Sequence, residues 1–254
     1  MVALIRAEFL KLRTTQVWFW MLLLCLGLTA LGVVGTIAGQ KTDFDLAQHV
    51  RDVMISASAA FTYVPLFVLG VLAVTTEYRY QTITPTVLAT PSRWALITAK
   101  LITYAVVGAL FAVLCIVIQL LIALPWLSAR NVHVSLGDQK GPLLITFAVL
   151  TLFALVGLGT GALLRNQIVA VTVGVIFILV IARLFLLIPG VKYVYPYLPT
   201  GAVDSIITDP HDTEARVING VHLISPGAGI AVLLVWGLVL SVLGAGITMN
   251  RDIS

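Results

Sequence analysis

Apolar residues run in six long stretches, near 17–39, 53–75, 96–124, 143–164, 168–188 and 229–248, and nearly every charge falls between them. A hydrocarbon core about 30 Å thick is crossed by roughly 20 apolar residues of helix, so each stretch predicts a membrane span. The runs are apolar throughout, whereas the strands of a membrane β-barrel alternate. An open sheet would leave backbone groups unpaired in hydrocarbon. The expected fold is an all-α integral membrane protein with six transmembrane helices, forming a single domain over residues 1–254. The first stretch is longer than the roughly 7–15 apolar residues of a signal peptide, and no clear cleavage site ends it. A retained helix is expected.

Residues 1–13 predict an amphipathic helix in the headgroup plane. Val2, Ile5, Phe9 and Leu12 share one face at helical spacing, and Arg6, Glu8, Lys11 and Arg13 take the rest. Within the second stretch, Pro65 predicts a kink close to Tyr63. Residues 76–94 form the longest polar connection on the side of the N-terminus, and Ser92 is a possible cap for the third helix. Residues 189–227 open with Tyr193, Tyr195 and Tyr197 and then turn polar. They predict short helices on or in the opposite leaflet. Gly157, Gly159 and Gly161 lack the Lys-Ser/Thr and the preceding strand of a phosphate loop, and read as sites of close helix packing.

Composition sharpens this picture. Hydrophobic residues make up 60% of the chain and charged ones 10%, whereas a soluble domain carries about 25% charged residues. With both termini in the cytoplasm, eight Lys and Arg lie inside and six outside, the bias expected of cytoplasmic loops. Acids divide three inside to eight outside. Cys25 and Cys115 fall within spans and read as small apolar fillers.

Candidate chemistry is sparse. No Walker A, HExxH or nucleophile-elbow sequence occurs, so the chain itself is not expected to be an enzyme. Asp209, His211, Asp212 and Glu214 have the composition of a metal site but the spacing of none, and read as a solvated loop. Arg183 and Gln119 are polar residues inside spans. Arg183 either snorkels to the outer headgroups, or lines a pathway or pairs with an outer acid; Gln119 joins helices by hydrogen bonds or lines a cavity. With Tyr63 they form the candidate pathway set.

These parts together resemble the membrane subunit of a type-2 ABC exporter, in particular its actinobacterial members. The resemblance rests on Ala7-Glu8-Phe9-Leu10-Lys11-Leu12-Arg13 at the start and on Glu77-Tyr78-Arg79 through Thr82. It continues in Thr90-Pro91-Ser92-Arg93 with Lys100, in Leu198-Pro199 with Ala202, and in the closing Asn250-Arg251-Asp252-Ile253. One position departs: Gln81 stands where a glycine is common. The resemblance implies a coupling segment within 76–94, with Glu77, Tyr78, Arg79, Tyr80, Gln81, Thr82, Thr84 and Pro85 docking onto a separate ATPase. It implies an interfacial helix carrying Glu8, Phe9, Lys11 and Arg13 beside the same interface. The expected partners are two ATPase subunits, a second permease chain, identical or related, and membrane lipid, with no nucleic acid. No cofactor is bound by this chain; ATP and magnesium belong to the ATPase. The implied function is ATP-driven export of a hydrophobic or amphipathic compound across a bacterial plasma membrane. The alternatives are a membrane enzyme acting on lipid-linked substrates, or a secondary transporter. The latter usually carries an acid within a span and internal repeats, and neither is seen here.

Overall fold

The computed structural model describes residues 1–81, 93–135 and 137–249. Among them, six helical segments are long and apolar enough to cross a membrane: Val17–Gly39, Val50–Arg79, Trp94–Ala129, Lys140–Leu164, Gln167–Leu187 and Pro226–Gly246. Helix α1 (Val2–Thr14) precedes the first span at what is termed here the near end of the bundle, and α2 (Val17–Gly39) is that span. At the far end, α3 (Asp43–Gln48) is capped by the Thr42 hydroxyl, which accepts from the Asp45 amide. Asp43 and Asp45 in its first turn suit the positive end of the helix dipole.

The second span is built from two pieces, α4 (Val50–Ala59) and α5 (Tyr63–Arg79). The proline kink is therefore a break, and it lies upstream of Pro65. A proline has no amide to offer the carbonyl four residues back, and its ring crowds that carbonyl. The carbonyl in question is that of Phe61, which adopts a left-handed φ of 58° and accepts instead from Val64 at 2.9 Å. Gln119 fastens the helix just before this break. It is wholly buried, donates to the Met54 carbonyl at 2.7 Å and accepts from the Ala57 amide at 3.3 Å. Gln119→Leu is expected to cost about 1 kcal/mol, the size of an interhelical polar contact in a membrane bundle. Thermal unfolding of the purified protein in detergent checks this, and an unchanged midpoint would rule it out.

The third span, α6 (Arg93–Ala129), is longer than its apolar run and carries Pro125. Helix α7 (Lys140–Leu164) is the centre of the bundle. Gly157 and Gly161 press on the backbone of α5 at Phe67 and Val71, while Gly159 meets Gly237 and Leu240 of α10 (Pro226–Met249). The fifth span starts as α8 (Gln167–Ile176), capped by the Asn166 side chain, and passes through a π-helical turn at Phe177–Ile181. The Thr200 hydroxyl donates to the Ile178 carbonyl in that turn at 2.9 Å, a common way for such a bulge to be satisfied.

Beyond the fifth span, a 3-10 turn (Lys192–Tyr197) and α9 (Pro199–Ile207) match the expected short helices, with Pro199 opening α9. A small antiparallel hairpin, β1 (Val217–Ile218) and β2 (Val221–His222), was not expected. Asn219 and Gly220 both hold positive φ at its turn, as a two-residue hairpin of the primed type requires.

One boundary and one helix face depart from the sequence pattern. The second span does not end at residue 75 but runs on to Arg79, so Glu77 and Tyr78 lie on helix and not in a loop. Val2 is 80% exposed and takes no part in the packed face of α1. That face contains Glu8, at 3% exposure, beside Phe9 and Leu12.

Candidate coupling site

Three elements meet at the near end through charge. Lys100 enters from the first turns of α6 and is 3% exposed. Its ammonium spends all three protons: on Glu8 at 2.8 Å, on Glu77 at 2.8 Å and on the Ala73 carbonyl at 3.1 Å. Lys11, one turn beyond Glu8 on α1, bonds Glu77 at 2.7 Å and Glu8 at 3.0 Å. Two acids and two bases thus cancel in a place where any one of them alone would be costly. Burial pulls the Lys11 ammonium down, but the hydrogen bond and charge of Glu77, and then those of Glu8, outweigh it and hold its pKa above the usual value. A cavity of about 80 Å³ adjoins the cluster, lined by Glu8, Lys11, Glu77 and Tyr104 among others.

Outside this knot lies an open face. Arg79 and Tyr80 are exposed at the end of α5. The Arg79 guanidinium donates to Gln167 at 3.2 Å and sits 5.7 Å from the Tyr80 ring centre. Arg165, at the turn between α7 and α8, covers the Tyr78 ring at 5.9 Å. Tyr78, Arg79, Arg165 and Gln167 border a groove of about 440 Å³. Glu8 and Glu77, the acids at this end among the described residues, are both buried. The exposed charges are therefore cationic, from Arg6, Arg13 and Arg79, with Lys11 partly exposed.

The predicted docking residues accordingly separate. Glu77 turns inward and presents nothing to a partner; Tyr78 is half-buried; Arg79, Tyr80 and Gln81 face out. Gln81 has a φ of 55°, the left-handed conformation for which glycine is the usual choice after a helix. This accounts for the glycine common at that position. Thr82, Thr84 and Pro85 lie outside the described residues. Lys100 and Arg165 were not among the predicted site residues. A lysine near the start of the third apolar stretch, with an acid at the end of the span before it, is the signal that marks the first.

The pathway set also separates. Tyr63 is 3% exposed and its ring packs on Phe153 with centres 4.5 Å apart. Gln119 is the helix fastener described above. Arg183 lies half-exposed at the far end and pairs with Asp204 at 3.5 Å. The Tyr195 hydroxyl also donates to Asp204. Burial pushes the Asp204 carboxyl above its ordinary range, against the opposing pull of Tyr195 and Arg183. Asp209 and Asp212, from the acidic loop, accept backbone amides of their own turns: His211 at 2.8 Å for the first, and Glu214 at 3.1 Å and Ala215 at 2.9 Å for the second.

The model of a family described as ABC-2 family transporter protein matches residues 4–183. The chain belongs to the ABC-2 family. The match runs from α1 to Arg183 and takes in the whole near-end knot. No curated protein matches the chain, and no solved structure does either. As an ABC-2 permease the chain is a transmembrane subunit of an ABC transporter, a multi-pass protein of the plasma membrane that associates with an ABC ATPase subunit. Membership of a family of transporter membrane subunits agrees with a chain that is not itself an enzyme.

Proposed function

We propose that this permease exports a hydrophobic or amphipathic compound, with the near end in the cytoplasm and the hydrolysis of magnesium-bound ATP carried out by the partner. Two permease chains, identical or related, and two ATPases make the working unit. One observation carries the mechanical part of this reading. The ends of α5 and α6 that flank residues 82–92 are tied by Glu77 and Lys100 to each other and, through Glu8, to α1. A pull on the connecting segment then moves three helices together instead of bending one. The exposed Arg79 and Tyr80 supply the grip, and the cationic face suits an ATPase groove with acidic walls. The sorting of basic residues supports the orientation. The scarcity of charge within the spans supports an apolar or amphipathic cargo.

Arg79→Glu reverses one charge of the open face and touches none of the buried ones. It is expected to weaken binding of the ATPase roughly tenfold, as reversal of an interfacial charge commonly does, and to reduce export in proportion. Thermal stability of the isolated permease should stay the same. Surface-plasmon binding of the ATPase to nanodisc-held permease measures the first effect, and undiminished binding would refute the grip.

A further inference from the structure

The underside of α1 carries a second site, unrelated to the ion pairs. An open groove of about 420 Å³ lies between α1, α2 and α6, lined by Phe9, Leu12, Leu110 and Leu114 among others, and by Arg13 and Trp18. Apart from Arg13 its lining side chains are apolar or aromatic, and Arg13 and Trp18 lie on either side of the junction where α1 gives way to the first span. In a bilayer this is the boundary between headgroups and chains, where a tryptophan is at home and an apolar cleft faces hydrocarbon.

Arg13 distinguishes the groove from ordinary lipid-facing surface. Lys11, two residues earlier, is consumed by Glu8 and Glu77. Arg13 is exposed and makes no hydrogen bond or ion pair with any described residue. An exposed guanidinium lining an apolar cleft is matched by a molecule with an anionic head and a hydrocarbon tail. We infer that α1, α2 and α6 form a binding site for one anionic phospholipid, its phosphate on Arg13 and one acyl chain between Phe9 and Leu110. Phe9 is the neighbour of Glu8 on α1, so a bound lipid braces from beneath the same helix that the ion pairs hold from within. Binding needs neither ATP nor transport, and its measurement is independent of the exporter reading.

Native mass spectrometry tests this on the full chain, delipidated in detergent and titrated with phosphatidylglycerol or phosphatidylcholine of identical chains. Wild-type protein should retain the anionic lipid about fivefold more, the contribution of one basic side chain at a membrane surface. Arg13→Gln should erase that preference. Arg6→Gln, an exposed cation of the same helix that does not line the groove, should leave it intact. Leu110→Trp fills the groove and should lower retention of both lipids, with gel filtration confirming the fold. The site is refuted if the wild type shows no preference, if Arg13→Gln keeps it, or if Arg6→Gln loses as much. It is equally refuted if Leu110→Trp binds like wild type, or if retention vanishes on dimerisation, which would give the groove to a second copy.

Discussion

Glu77→Lys is expected to lower the unfolding temperature of the permease sharply, at a cost of roughly 3–5 kcal/mol. The residue sits on a cytoplasmic-looking stretch of sequence, and from sequence alone the exchange looks like a mild surface change. The structure gives a different result. The Glu77 side chain is 6% exposed and holds Lys100 and Lys11. Lysine in its place would put three ammonium groups around the single carboxylate of Glu8. Lys100, only 3% exposed, is held away from water by the helices around it. Lys100→Met should be nearly as damaging, because Glu77 would keep only Lys11. Combining it with Glu77→Met removes both members of the innermost pair and should cost less than the two changes summed, by about 0.5–3 kcal/mol of coupling. Thermal unfolding in detergent measures these variants together with Glu77→Met alone, which completes the cycle. Strict additivity, or a Glu77→Lys protein as stable as wild type, would show that the knot is not a unit. It follows that uncoupling by Glu77→Lys would report damage to the fold rather than loss of a docking contact, and Arg79 is the sounder probe of docking.

The second large effect is expected at the contact between α5 and α7. A Cβ on Gly157 would lie 2.0 Å from the Phe67 carbonyl oxygen, and one on Gly70 would lie 2.1 Å from that of Ala154. These are backbone atoms of two packed helices, so no side-chain rotation relieves the clash. Gly157→Val must force α5 and α7 apart along the most buried line of the bundle. Overpacking typically costs about 1–3 kcal/mol, and the upper end is expected here because the obstruction is main chain. Gly27→Ala is the matched control: that glycine is also helical, but nothing lies within 4 Å of its Cβ position. It should stabilise by roughly 0.5–1 kcal/mol. If Gly157→Val unfolds at the wild-type temperature, close backbone approach is not what holds these helices.

The contrast between these two sites shows what was legible beforehand. The spans were legible because twenty apolar residues in a row have few other uses. The bounds of α2 follow its apolar run. The end of the second span was not legible, because Glu77 and Arg79 read as water-facing while the lysine that makes Glu77 tolerable comes from the following span. Helix α1 was readable as amphipathic, but its packed face was misjudged for the same reason: Glu8 is inward only because Lys100 waits there. The glycines of α7 pointed to close packing, though which neighbour each one touches depends on tertiary arrangement. Asn219-Gly220 between Val-Ile and Val-His is a local hairpin signal that a membrane reading of the outer segment passes over. Of the candidate site, the segment was recognisable and the inward or outward direction of each side chain was not.

The interruption at residues 60–62 has a mechanical meaning. An unbroken helix resists bending because every turn is bonded to the next; at Phe61 that continuity is lost. The far-end piece of the second span is clamped by Gln119, while the near-end piece is wedged against α7 through Gly70 and Gly157. The pieces are thus moored to different neighbours and joined by a short non-helical link. Displacement applied at Arg79 travels stiffly as far as Tyr63, and from there onward the strut swivels instead of pushing.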